Sequence, residues 1–152
     1  MIKSTEISGL HITSEQLNQL TNQLPYLKML ILFGSRARGD THKQSDWDFA
    51  VLYDKEMRKE SLKETSFGWW EVPGVLGKIF LLNSNEIDLV DLNSCSNLIA
   101  HFIARDGKVI YEKEDGNFEK FKEEYLQTQT QIQVNRQALR NKIERNLQKW
   151  GV

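Results

Sequence analysis

Gly34-Ser35-Arg36-Ala37-Arg38-Gly39-Asp40-Thr41-His42-Lys43-Gln44-Ser45-Asp46-Trp47-Asp48 stands between two apolar runs, residues 27–33 and 49–53. An apolar run, a glycine-serine pair, a polar stretch and a second apolar run predict strand, turn, short helix, loop and strand. A Gly-Ser pair at the end of a buried strand offers backbone that a ligand can approach closely, a hydroxyl, and the open N–H groups of a helix start. Together these suit an anionic phosphate. Arg36, Arg38 and Lys43 add positive charge in the same loop. Asp46 and Asp48, two residues apart on a strand, project from one face while Trp47 and Phe49 point to the other. Two acids on one face repel each other, and a bound Mg²⁺ reverses that local charge balance.

Gly34-Ser35, ten intervening residues, Asp46-Trp47-Asp48 and a later Ile87-Asp88-Leu89-Val90 occur in that order. The pattern resembles the signature of nucleotidyltransferases of the DNA polymerase beta superfamily. More narrowly it is similar to the minimal nucleotidyltransferases, a group that includes antitoxins partnering HEPN-type toxins. The resemblance covers residues 27–111 and implies an α/β (α+β) fold, a small mixed sheet flanked by helices, to which the chain's own pattern adds a long C-terminal helix. It further implies in-line attack of a hydroxyl on the α-phosphate of ATP, with loss of pyrophosphate. Two Mg²⁺ ions would be bridged by Asp46 and Asp48, and Asp88 would hold the ion nearer the acceptor; Asp91 is the alternative third acid. Gly34 and Ser35 would grip the outer phosphates, assisted by Arg36 or Arg38. In the antitoxin members the AMP goes to a tyrosine of the toxin, a ribonuclease, and silences it.

Length and composition agree with one such domain. The 152 residues are 39% hydrophobic and 27% charged with 2 prolines, an ordinary globular composition large enough for a single core. A net charge of −1 disfavours a general polyanion binder. The lone Cys95 excludes an intrachain disulfide, and the N-terminus shows no apolar leader and no window long enough to cross a bilayer, so a cytoplasmic home is expected.

Along the chain, Thr13 and Gln16 form a capping pattern before Leu17, Leu20 and Leu24, a helix that Pro25 stops. Residues 27–33 are apolar enough for a strand buried on both faces. Residues 55–65 are charged and read as a solvated loop or helix. Pro73 predicts a break, with a helix over residues 73–82. Residues 86–92 alternate as a strand in which Asp88 is in phase with Val90 and Leu92, and Asp91 with Leu89. A helix over residues 96–105 and a short strand over 108–111 follow. The domain thus spans residues 1–112. From 117 to about 150 the chain carries no helix breaker until Gly151 and shows a thin apolar stripe, Phe118, Tyr125, Ile132 and Leu139, seven apart. One unbroken helix there would be ~50 Å long against a radius of gyration of ~15 Å for such a domain, so part of it would overhang, with a basic end (Arg136, Arg140, Lys142, Arg145) toward a partner.

His42, alone in the loop, reads as a polar loop residue, and Trp69 and Trp70 as core or interface rather than a base pocket. Enzymes of this class that modify antibiotics or nucleic acid carry a further acceptor-gripping domain, which this chain is not expected to have. The acceptor is therefore expected to be another protein, and the resemblance implies that it is the HEPN-type toxin. A binding-only antitoxin and an aminoglycoside-modifying enzyme are the competing readings, the first disfavoured by three converging acids.

Overall fold

The computed structural model describes residues 4–39, 46–63, 68–126 and 129–149. The chain opens with a hairpin, β1 (Ser4–Ile7) and β2 (Leu10–Thr13), paired antiparallel. Its two-residue turn holds Ser8 at φ 52° and Gly9 at φ 84°, the doubly left-handed turn that matches strand twist. Sequence reasoning missed this hairpin. α1 (Ser14–Gln23) follows with the expected cap: the Gln16 N–H donates to Thr13 Oγ1 at 3.1 Å, and the Thr13 N–H to Gln16 Oε1 at 2.7 Å.

The main sheet is built from β3 (Leu27–Phe33), β4 (Trp47–Tyr53), β5 (Ile87–Asp91) and β6 (Lys108–Glu112), in the order β5-β4-β3-β6. β4 and β6 flank β3 antiparallel, and β5 joins β4 parallel. As the apolar run of β3 requires, Met29, Leu30, Ile31 and Leu32 are wholly buried because helices cover both faces. On one face Leu30, Leu32, Phe49 and Val51 pack with Leu20 and Leu24 of α1 and with Val72 and Leu76 of α4 (Gly68–Phe80). On the other, Met29, Ile31 and Ala50 meet Ile103 and Ala104 of α5 (Asn97–Asp106) and Phe118 and Phe121 of α6 (Asn117–Tyr125). Between the sheet strands lie α2 (Gly34–Arg38) and α3 (Lys55–Lys63). Among the described residues no helix is long and apolar enough to cross a membrane.

Two expectations are corrected. α4 runs through Pro73 rather than starting at it. Proline removes one helical hydrogen bond, and the buried face Val72, Leu76, Ile79, Phe80 repays that loss on both sides of it. The long C-terminal helix is two helices. Leu126 leaves helical geometry at φ −72°, ψ 115°, and α7 (Gln129–Lys149) begins beyond it. Phe118 and Phe121 anchor α6 in the core, whereas Val134, Leu139 and Ile143 of α7 are at least half exposed.

Candidate active site

The sheet topology brings the carboxylates together. Because β4 and β5 are parallel, their N-terminal ends lie side by side, and Asp48 is directly across from Asp88. Asp46 immediately precedes β4, on the same end. Trp47 and Phe49 turn into the opposite core, their rings stacked at 6.4 Å. Asp88 is held above the ordinary carboxylate range by partial desolvation and then by Asp46, whose charge lies close and whose carboxylate shares a hydrogen bond with it. Asp48 is pushed the same way by desolvation, then by Asp88 and Asp46, against an opposing pull from Arg38. Asp46 thus raises both of the others and Asp88 raises Asp48, which ties the three carboxylates into a single electrostatic unit.

Gly34 forms the floor under Asp48. It sits at φ +76°, and a Cβ built on it would collide with the Asp48 carboxylate. The glycine is required twice, once by its backbone conformation and once by the close approach of an acid. The Ser35 carbonyl accepts the N–H of Gly39 at 2.9 Å, closing α2 at its left-handed cap.

The two arginines of α2 diverge. The Arg36 guanidinium lies 4.0 Å from the centre of the Trp47 ring, a cation–π stack that fixes the start of β4. Arg38 faces the carboxylates and comes within 4.0 Å of Asp106 at the end of α5. Asp106 is a site-bordering residue that sequence reasoning missed, since only the contact between α2 and α5 brings it there. Arg105 grips Asp106 with two bonds of 2.9 and 2.8 Å, and that grip, ahead of the charges of Arg105 and Arg38, holds Asp106 below its usual range. A depressed acid contributes stability that is present above the unfolded value and lost as pH falls through the folded one. Asp106→Asn is therefore expected to melt below the wild type at pH 7, with the gap closing as the solution is acidified; thermal melts across pH check this.

Asp91 stands elsewhere. It pairs with Val51, lies 3.7 Å from Arg58, and accepts the N–H of Asn93 at 2.8 Å. Among the described residues no three His, Cys, Asp or Glu side chains are already close enough to hold a metal ion. The fit of a cation to Asp46, Asp48 and Asp88 thus rests on shared register, mutual charge and hard oxygen donors. Lys43 and His42 lie outside the described residues, as do the side chains of Trp69 and Trp70.

A strand, a glycine turn, Asp46 and Asp48 at the start of the next strand and Asp88 on its parallel neighbour have the arrangement expected of a nucleotidyltransferase. The Polymerase beta, Nucleotidyltransferase family model matches residues 15–116, and the chain belongs to that family. Within it, the chain is 49% identical over 134 residues to the protein adenylyltransferase MntA of Aphanizomenon flos-aquae, covering 88% of this chain and 89% of that one. It is 27% identical over 138 residues to the protein adenylyltransferase MntA of Shewanella oneidensis, covering 87% and 91%. Among solved structures, a chain from a toxin–antitoxin crystal structure with AMP-PNP superposes with a TM-score of 0.58 at 25% identity, covering 84% of this chain and 94% of that one. A chain from the complex of a tri-AMPylated Shewanella oneidensis HEPN toxin with an MNT antitoxin gives a TM-score of 0.54 at 22% identity, covering 86% and 93%, a likeness of fold alone.

Proposed function

We propose that this chain is an antitoxin that transfers AMP from ATP to a tyrosine hydroxyl of a cognate HEPN-type ribonuclease toxin and so neutralises it. The observation that carries the reading is the register of Asp48 with Asp88, with Asp46 hydrogen-bonded alongside and Gly34 keeping the approach open. The 49% identity to a protein adenylyltransferase and the likeness to a toxin–antitoxin structure with an ATP analogue support the chemistry and the kind of acceptor.

In the transfer, the tyrosine oxygen bonds to the α-phosphorus, the bond from that phosphorus to the bridging oxygen breaks, and pyrophosphate leaves. The tyrosine proton passes toward Asp88. Asp46, Asp48 and Asp88 are the residues that would hold Mg²⁺, as two ions by family resemblance. Bound there, Mg²⁺ supplies Lewis-acid stabilisation of the attacking and leaving oxygens. Gly34 and Ser35 line the outer phosphates, and Arg38, facing the acids, is the arginine placed to neutralise them; Arg36 acts through Trp47 by fixing the strand that carries both aspartates. Catalysis then rests on positioning and preorganised charge. The single Cys95 suits a reducing cytoplasm. With the purified chain, the toxin and ATP labelled at either the α- or the γ-phosphate, the α-label should enter the toxin and the γ-label should leave as pyrophosphate. A γ-label on the toxin would make the chain a kinase instead.

The nucleotidyltransferase unit of residues 1–112 shares its core with α6 through Phe118 and Phe121, and α7 is the surface offered to the toxin. Its apolar residues Val134, Leu139 and Ile143 are exposed beside Arg136, Arg140 and Arg145, which also favours a second reading, inhibition by occlusion. Truncation after Leu126 is expected to leave the melting temperature nearly unchanged while abolishing co-purification with the toxin. A truncated chain that still pulls down the toxin would place the interface elsewhere.

A further inference from the structure

The far end of β4 borders a second cleft. Asp48 lies at its start and Tyr53 at its finish, five residues and therefore about 17 Å further along the strand. Around Tyr53 opens a cleft of about 340 Å³ lined by Tyr53, Lys55, Arg58, Lys59, Asp91, Asn93 and Ser94. That volume is at the small end of the roughly 300–1,000 Å³ found for ligand pockets.

The wall of this cleft is built rather than incidental. The Arg58 guanidinium lies 4.0 Å from the centre of the Tyr53 ring and 3.7 Å from Asp91, so it is held from two sides. Asn93 in turn is fixed on the Tyr53 backbone, accepting its N–H at 3.0 Å and donating to its carbonyl at 3.2 Å. Yet the Arg58 Nε–H is buried and meets no acceptor. An unmatched buried donor on a charged group is costly. Lys55 and Lys59, one helical turn apart on α3, are exposed on either side of Arg58 in the chain and line the same cleft. Three cations face one carboxylate, an excess of two positive charges over Asp91. The chain as a whole has a net charge of −1, so this local excess is not a reflection of general basicity.

We infer that the cleft between α3 and the end of β5 is an anion site that takes a phosphate group, free or carried on a small phosphorylated molecule. A phosphate dianion matches the charge excess, and its oxygens are acceptors for the Lys55, Arg58 and Lys59 side chains that line the cleft. The site is separate from the three aspartates, at the opposite end of the strand they share, and does not rest on their role.

The test is an amide NMR titration of the full chain with inorganic phosphate and, in a second arm, with AMP, at ionic strength matched by sodium chloride. Saturable shifts at Asn93, Ser94 and the Arg58 Nε–H are expected. They should weaken by roughly tenfold in affinity in the Lys55→Gln, Lys59→Gln double variant, which removes two exposed cations, while shifts at Gly34 and Ser35 stay as in the wild type. Tighter binding of AMP than of phosphate assigns the site to a phosphorylated molecule, and equal binding assigns it to free phosphate. Absence of saturable shifts at these residues, shifts reproduced by sodium chloride alone, or an affinity unchanged in the double variant would overturn the inference. None of those results bears on Gly34 or Ser35, so failure here and failure of the transferase reading are told apart.

Discussion

The Asp46→Asn, Asp48→Asn double variant is expected to lose AMP transfer by roughly 10³-fold or more, because both acids belong to the carboxylate cluster proposed to hold Mg²⁺ at the reacting phosphates. The loss should come without unfolding. Asp48 is destabilised as a carboxylate by its burial and by Asp88 and Asp46, and an amide of the same shape removes a repelling charge. The variant is therefore expected to melt at or above the wild-type temperature at pH 7 in metal-free buffer. Loss of activity with raised or unchanged stability separates a chemical role from a structural one. Metal binding gives the complementary readout: Mg²⁺ should raise the melting temperature of the wild type by linkage and leave that of the double variant unmoved. A variant that retained a substantial fraction of transfer would remove Asp46 and Asp48 from the chemistry.

Gly34→Ala is the second change with a large expected effect, and it acts through Asp48. An alanine at φ +76° occupies the left-handed region, and its methyl meets the Asp48 carboxylate. Backbone strain of this kind costs about 1–3 kcal/mol, and the displaced acid should lower transfer by about 10²-fold, the effect of a shift on the order of 1 Å in a reacting group. The urea midpoint and the transfer rate should fall together. Gly39→Ala provides the comparison. It shares a positive φ of 87° but has open space where its Cβ would stand, so it should lose stability with little loss of rate. Equal rate losses in the two variants would mean that strain in α2, rather than the approach of Asp48, limits the reaction.

The central motif was legible because its parts are local. A run of apolar residues, a glycine-serine turn and an Asp-Trp-Asp strand fix β3, α2 and β4 within residues 27–53, and the observed elements fall where that pattern puts them. The choice between Asp88 and Asp91 was not local. The two lie out of phase along β5, and the preference for Asp88 comes from the family pattern; what the strand alone could not supply is the parallel register with β4, which places Asp88 beside Asp48 and Asp91 beside Val51. Arg36 and Arg38 differ for the same reason. They are two residues apart in the sequence, but one meets Trp47 and the other Asp106, a residue almost seventy positions later. The β1–β2 hairpin went unread because four-residue strands carry too little alternation, although Ser8-Gly9 is a turn signal in retrospect. Proline misplaced the start of α4 because burial of one helix face outweighed a single missing hydrogen bond. The break at Leu126 has no glycine or proline to announce it; it falls where anchored Phe121 gives way to exposed Leu126.

The transferase claim is tested most directly by the intact mass of a candidate HEPN-type toxin after co-expression with the wild type and with the Asp46→Asn, Asp48→Asn variant. The toxin should gain mass in whole AMP units with the wild type and remain unmodified with the variant, and peptide mapping should place the added groups on tyrosine. An unmodified toxin that stays bound and silent with both proteins would contradict the account and make this fold a binding module.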